Sequence, residues 1–255
     1  MIDIHCHIIP GVDDGPGSLA ESIEMAERAT AEGIRTIIGT PHHMNGQYNN
    51  LKEDIIKKAS LLNNELRKRS IPLKVLPGQE TRIHEEMIEG YRKGELQALD
   101  PKGKYMFIEL PSDHMPRYTE ALLYDIQMLG LMPIIVHPER NLEFQQRPNM
   151  LYKLVKKGAL TQITAGSLLG HFGKKSKKLA HMLIELNLTH YVATDAHNVT
   201  SRSFHLSEAY DEIKRKYGVE KHYMFMENAE LLLESKLAYK EMPHKVEPKR
   251  LLGIF

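Results

Sequence analysis

Short apolar runs alternate with longer stretches whose apolar residues recur at helical spacing, and this rhythm continues along most of the chain. Residues 2–7 form the first run, apolar and β-branched, with no glycine or proline to break a strand. Runs at 36–40, 73–80, 105–110 and 133–138 predict further strands, with a weaker one at 161–165 and a last at 191–197. After the first run, Ser18 and Glu21 stand at capping-box spacing, Ile23, Ala26 and Thr30 follow at helical intervals, and Gly33 marks the end. Leu51, Ile55, Leu62 and Leu66 predict a helix over 51–69. Helices are also expected over 84–92, 118–129 and 149–157, then near 176–187, 205–217 and 228–236, with a loop at 166–173. Strand, loop, helix, strand is a βαβ unit, and its repetition gives about seven parallel strands.

The chemistry sits where strands end. His5 and His7, His42, Glu80, Glu109 and His137 stand at the C-terminal ends of the first five strands, and Asp195 and His197 at the end of the last. Both a closed barrel and an open doubly wound sheet fit the element order. In a barrel all those ends meet at one mouth, whereas an open sheet gathers ligands at one switch point. The distribution therefore favours a seven-stranded α/β barrel. No linker divides the chain, so residues 1–242 read as a single barrel domain followed by a tail, 243–255. That tail turns apolar at Leu251, Leu252, Ile254 and Phe255, either to pack back on the domain or to meet a partner.

His5 and His7 are two apart in a strand, so they share a face and Cys6 points the other way. Two neutral imidazoles on one face can share a cation. Taken singly, each imidazole or carboxylate also has a structural explanation, as a helix cap or a partner of the backbone. Their joint placement is harder to explain that way, because burying so many ionisable groups at one mouth is costly without counter-charge. Asp195-Ala196-His197 repeats the spacing of His5 and His7, and Asp14 joins from the polar loop that follows His7.

Composition narrows the function. Fourteen histidines is a high count, and many lie beside acidic residues at the ends of apolar runs, as metal chemistry would require. A net charge of +1 gives no long-range steering toward nucleic acid, and no basic aromatic surface motif stands out. One cysteine excludes an internal disulfide and a cysteine-rich zinc site. No apolar run approaches a membrane span and no signal peptide precedes His5, so a cytoplasmic protein is expected.

Five motifs carry a resemblance: residues 5–15 (HCHIIPGVDDG), Thr40-Pro41-His42-His43, Pro77-Gly78-Gln79-Glu80, His137-Pro138-Glu139-Arg140 and Thr194-Asp195-Ala196-His197. With them the chain resembles the polymerase-and-histidinol-phosphatase (PHP) superfamily. Within it, the chain is most similar to the bacterial manganese-dependent protein-tyrosine phosphatases of capsule and exopolysaccharide regulation. The resemblance implies a distorted seven-stranded (β/α)7 TIM-like barrel. It also implies three divalent metal ions, with manganese favoured and iron or zinc possible. His5, His7, Glu80 and Asp195 would hold the first; Glu80, Glu109 and His137 the second; Asp14, His42 and His197 the third. The superfamily often has histidine where Asp14 and Glu109 stand, and these oxygen donors favour a harder metal. His43 should face elsewhere.

Set against four carboxylates and a bridging hydroxide, three divalent cations leave residual positive charge to receive a phosphate dianion. In-line attack by that hydroxide on phosphorus would release the tyrosyl oxygen. Arg140 and Arg202 match positions where the family carries phosphate-binding arginines, and either guanidinium could grip phosphate oxygens. Arg117 is a weaker candidate at the rim. Cys6 is no nucleophile, since a cysteine-dependent phosphatase needs an arginine six positions on, where Val12 stands. The resemblance names the tyrosine-rich tail of a phosphorylated bacterial tyrosine kinase as the substrate, with indirect membrane association through the kinase complex. Two other functions compete: a small-molecule phosphoesterase such as histidinol-phosphate phosphatase, and a non-catalytic module that binds the kinase.

Overall fold

A computed structural model describes residues 1–247. Its strands are β1 (Ile2–Cys6), β2 (Thr36–Gly39), β3 (His42–His43), β4 (Lys74–Pro77), β5 (Glu80–Arg82), β6 (Tyr105–Glu109), β7 (Met132–Val136), β8 (Leu160–Thr164) and β9 (Tyr191–Ala193). All pair in parallel, β1-β2-β4 in one sheet and β3-β5-β6-β7-β8-β9 in another.

The two sheets are one cylinder. Only Thr40 and Pro41 separate β2 from β3, and only Gly78 and Gln79 separate β4 from β5. Backbone hydrogen bonds run across these breaks: Gly78 N–H donates to Gly39 O (2.9 Å) and Glu80 N–H to Pro41 O (3.0 Å). Gly78 permits the close approach, because a Cβ there would lie 2.5 Å from Ile38 Cγ2. On the far side, Asp195 N–H donates to His5 O (2.8 Å) and His7 N–H to Ala196 O (2.9 Å), joining the last strand to the first. Counting each interrupted pair as one strand gives the seven-stranded (β/α)7-like barrel of the PHP fold.

Alternation along the strands divides the core. Phe107, Ile134, Val136, Leu160 and Tyr191 fill the barrel interior, while Ile37, Val75, Ile108, Ile135 and Val192 pack outward against the helices. β1 departs from strict alternation. Ile4 belongs to the interior cluster and Cys6, two residues on, to the outer one. The pairing register slips by one residue between Asp3 and Cys6, and this bulge resets the strand's phase. It leaves His5 and His7 facing the barrel axis.

The structure corrects several boundaries. Helix Val219–Leu233 begins nine residues before the expected 228, straight after Gly218 (φ 90°). Its first two turns bury few residues, so they carry little apolar periodicity. The expected loop at 166–173 contains a short helix, Ala165–Leu169, and the next helix starts at Gly173. Helix Met87–Arg92 starts three residues later than predicted. Ser18 caps helix Leu19–Ala31 as expected, with its hydroxyl accepting from Glu21 N–H; Glu21 in turn accepts from Gly17 N–H, not from Ser18. At the start of the tail, His244 N–H donates to Leu186 O and Val246 pairs with Asn149. The apolar end of the tail lies outside the described residues.

Candidate metal centre

Every expected ligand reaches the C-terminal mouth of the barrel. β1 supplies His5 and leads directly into His7, β3 supplies His42, β5 Glu80 and β6 Glu109. Four candidate ligands come from loops and turns instead, Asp14 from the loop between β1 and helix Leu19–Ala31. His137 follows β7 with φ 35°, Asp195 follows β9 with φ 55°, and His197 lies two residues further on. Both strands therefore end earlier than the sequence predicts, and Asp195 and His197 do not repeat the strand geometry of His5 and His7. A left-handed residue of this kind costs about 1–3 kcal/mol and persists where its surroundings fix it. Here His137 N–H donates to Gln162 O (2.7 Å) and Asp195 N–H to His5 O.

Donor atoms converge in three groups: His5, His7, Glu80 and Asp195; His7, Asp14, His42 and His197; and His42, Glu80 and Glu109. The first is the set expected for one ion. The others share His7 and His42 more widely than expected, and His137 approaches through Glu80, with its Nε2 2.6 Å from Glu80 Oε1. His5 Nε2, His7 Nε2, His42 Nδ1, Glu80 Oε2, Asp195 Oδ1 and His197 Nε2 are all buried without a hydrogen-bond partner. Burying that many unsatisfied polar atoms costs about 1–3 kcal/mol each, and cations among them would remove that cost.

The opposite nitrogens are tethered. His5 Nδ1–H donates to Gln162 Oε1 (2.8 Å), His7 Nδ1–H to Asp13 Oδ2 (2.6 Å) and His197 Nδ1–H to Asp195 O (2.9 Å). Each tether fixes ring and tautomer and leaves Nε2 free as a ligand. Burial, with nearby Arg140, pushes His137 down to about 3, and burial with nearby His7 pushes His197 down to about 4, so both rings are neutral. Burial also opposes protonation of His7, yet Asp13, Asp195 and Glu80 raise it well above the ordinary imidazole value. His42 is likewise raised, against burial, by Glu80. This pull toward protonation marks excess negative charge, which divalent cations would neutralise. Against burial, His42 and His5 hold Glu80 far below the usual carboxylate range, and Arg140 and His5 do the same for Asp195.

The arginines have a double placement. Arg140 Nη2 lies 2.6 Å and Arg202 Nη2 2.9 Å from Asp195 Oδ2, leaving Oδ1 turned toward His5 and His7. Both also line a cavity of about 300 Å³ beside the donors, together with Leu110, Pro111 and Phe144. Arg117 does not reach this cavity; it lines a separate depression with Tyr124 and Leu154. His43 is buried outside the donor groups.

Asp13, Arg82 and Gln162 support the site without having stood out in the sequence. Arg82 grips Glu109 with Nε to Oε2 (3.0 Å) and Nη2 to Oε1 (2.9 Å). Nonetheless, burial and nearby Glu80 raise Glu109 to about 7. Each left a faint signal. Asp13 adjoins Asp14, Arg82 follows Glu80 at strand spacing, and Gln162 is a polar residue inside a predicted strand.

Cys6 stands apart, packed in the outer core with its thiol 3.5 Å from Ala196 O. Burial, with Asp3 and Asp195, raises the thiol well above its ordinary value, the reverse of what a nucleophile needs. Cys6→Ala is expected to keep full turnover at saturating metal and to lose about 1 kcal/mol of stability. Paired activity and melting measurements check this, and a trapped cysteinyl phosphate would contradict it.

Comparison with known proteins shows which family the chain resembles. Residues 1–234 match the family model for capsular polysaccharide synthesis, CpsB/CapC. The tyrosine-protein phosphatase YwqE of Bacillus subtilis is 51% identical over 255 residues, covering all of both chains. The putative tyrosine-protein phosphatase CapC of Staphylococcus aureus is 40% identical over 243 residues, 95% of each chain. The tyrosine-protein phosphatase CpsB of Streptococcus pneumoniae is 32% identical over 93% of this chain and all of its own. A solved chain superimposes with a TM-score of 0.94 at 51% identity, covering 97% of this chain and all of its own. It comes from crystal structures of YwqE from Bacillus subtilis and CpsB from Streptococcus pneumoniae, described as unique metal-dependent tyrosine phosphatases.

Proposed function

The chain belongs to the CpsB/CapC family of capsular polysaccharide synthesis proteins, and from that premise we propose a substrate, a metal set and a mechanism for its phosphatase site. The protein is a metal-dependent tyrosine-protein phosphatase. The observation that carries the mechanism is the convergence of orphaned, buried imidazole and carboxylate atoms beside two arginines at one mouth.

His5, His7, Glu80 and Asp195 would hold one cation, Glu80, Glu109 and His137 a second, and Asp14, His42 and His197 a third. Bound there, divalent cations would polarise phosphoryl oxygens and lower the pKa of water. The mixture of carboxylate and imidazole donors favours manganese, with iron or zinc as alternatives. Around the cations, this chain supplies orientation and charge. Gln162, Asp13 and the Asp195 carbonyl hold three imidazoles in their ligating tautomer. Leu110 and Pro111 offer apolar surface to the tyrosyl ring, and Arg140 and Arg202, lining the same cavity, would meet the phosphate.

The substrate in this reading is the phosphorylated, tyrosine-rich tail of a bacterial tyrosine kinase that controls polysaccharide synthesis. No helix among the described residues is long and apolar enough to cross a membrane. The reading places the protein in the cytoplasm and brings it to the membrane only through the kinase complex. With manganese present, kcat/KM is expected to be at least about a hundredfold higher for a phosphotyrosine peptide from the kinase tail than for histidinol phosphate. That margin corresponds to about 2.7 kcal/mol of preferential transition-state binding. Preference for histidinol phosphate would make the chain a small-molecule phosphoesterase, and metal loading without turnover of either would make it a binding module.

A further inference from the structure

Beside the catalytic cavity runs a second groove of about 360 Å³, between helices Leu142–Gln146 and Gly173–Glu185. Leu142, Pro148, Leu179 and Met182 give it apolar walls, and Lys175 and Lys178 stand over it. These lysines are three apart on one helix, so they project to the same side. Both are exposed, and neither has a carboxylate within ion-pair distance among the described residues. Lys174 and Lys177 flank them, and the helix has no acidic residue in its first turn. Cations there oppose the helix dipole, so their crowding costs stability that a bound anion would offset.

The groove and the catalytic cavity are lined by neighbouring residues of one short segment. Asn141 and Phe144 line the cavity, while Leu142 and Gln145, on the same short segment, line the groove. Gln145 Nε2 donates to Ser176 Oγ (3.3 Å) and to Glu139 O (2.9 Å), tying the lysine helix to the turn that carries Arg140. Phe172, just before that helix, stacks under the Arg140 guanidinium at 5.0 Å. A peptide whose phosphotyrosine enters the cavity would cross half-exposed Leu142 to reach the groove.

From the pairing of an apolar slot with two unpaired cations, we infer that the groove binds a second phosphotyrosine of the same substrate chain. The inference rests on the phosphatase reading above. An aromatic ring against Leu179 and Met182, with its phosphate dianion at Lys175 and Lys178, uses both features of the groove. A carboxylate side chain would use only the charge. The subsite therefore selects multiply phosphorylated segments and holds them while one phosphate is removed.

The test uses full-length, manganese-loaded protein and a peptide whose second phosphotyrosine is replaced by a non-hydrolysable phosphonomethyl-phenylalanine, so that only one site can turn over. Comparison peptides carry tyrosine or glutamate at that position, and para-nitrophenyl phosphate reports the catalytic site alone. The phosphonate peptide is expected to exceed the tyrosine peptide about tenfold in kcat/KM, chiefly through KM. In Lys175→Gln/Lys178→Gln that advantage should vanish, while para-nitrophenyl phosphate and the tyrosine peptide stay within about twofold of the parent. No phosphonate advantage, an equal advantage for glutamate, or an advantage that survives the double substitution would overturn the subsite. Those failures would leave turnover of the tyrosine peptide intact, whereas its absence would overturn the phosphatase reading itself.

Discussion

Glu80→Ala is expected to abolish phosphotyrosine hydrolysis, by at least about a thousandfold, while Glu109→Ala retains more activity. Glu80 is fully buried at the centre of the site. Its Oε2 lies 3.4 Å from His5 Nε2, 3.2 Å from His7 Nε2 and 2.9 Å from His42 Nδ1, and its Oε1 2.6 Å from His137 Nε2. Removing it takes away the one carboxylate that touches all four of these imidazoles, leaving the Nε2 atoms of His5 and His7 only Asp195, and takes one oxygen donor from two of the donor groups. Several kcal/mol of charge stabilisation then disappear, enough for a thousandfold loss. Glu109 belongs to one donor group and shares its carboxylate with Arg82, so its loss is more local. Metal content, circular dichroism and kcat/KM on the same preparations separate ligand loss from unfolding. A Glu80→Ala protein with full metal and normal turnover would reject its central placement.

The arginine substitutions should act differently. Arg140→Ala and Arg202→Ala, made singly, are expected to remain folded, keep their metals and lose tens to several hundredfold in kcat/KM. Such losses match removal of one charged donor to the transition state, about 2–4 kcal/mol. Each guanidinium also holds Asp195 Oδ2, so either one alone still fixes that carboxylate. Removing both frees Asp195 to rotate, and the double variant is expected to lose metal as well as activity. Single variants with near-normal kcat/KM at full loading would exclude a phosphate role. Metal loss in the single variants would make these arginines supports of Asp195 alone.

Much of this site is legible in the sequence because metal ligands are chemically conspicuous. Imidazoles and carboxylates at the ends of apolar runs have few other reasons to recur, so His5, His7, His42, Glu80 and Glu109 stand out from residue type and position alone. The barrel is legible for a related reason, since only a closed sheet brings so many strand ends together. What stays hidden depends on backbone geometry. The bulge before Cys6 and the left-handed turns at His137 and Asp195 are fixed by hydrogen bonds to neighbouring strands distant in sequence. Asp13 and Gln162 are hidden too, since a residue that holds another's ring becomes visible only when the fold brings the two together. The early start of helix Val219–Leu233 is masked because its first turns bury only Phe225 and leave no apolar stripe.

Dependence on bound metal is the central claim, and one measurement bears on it most directly. Protein stripped with a chelator is reloaded by titration with manganese, and metal content and phosphotyrosine-peptide hydrolysis are followed in the same samples. The stripped protein is expected to stay folded and inactive, with activity returning as metal binds and saturating as the three donor groups fill. Undiminished hydrolysis by folded, metal-free protein would contradict the account.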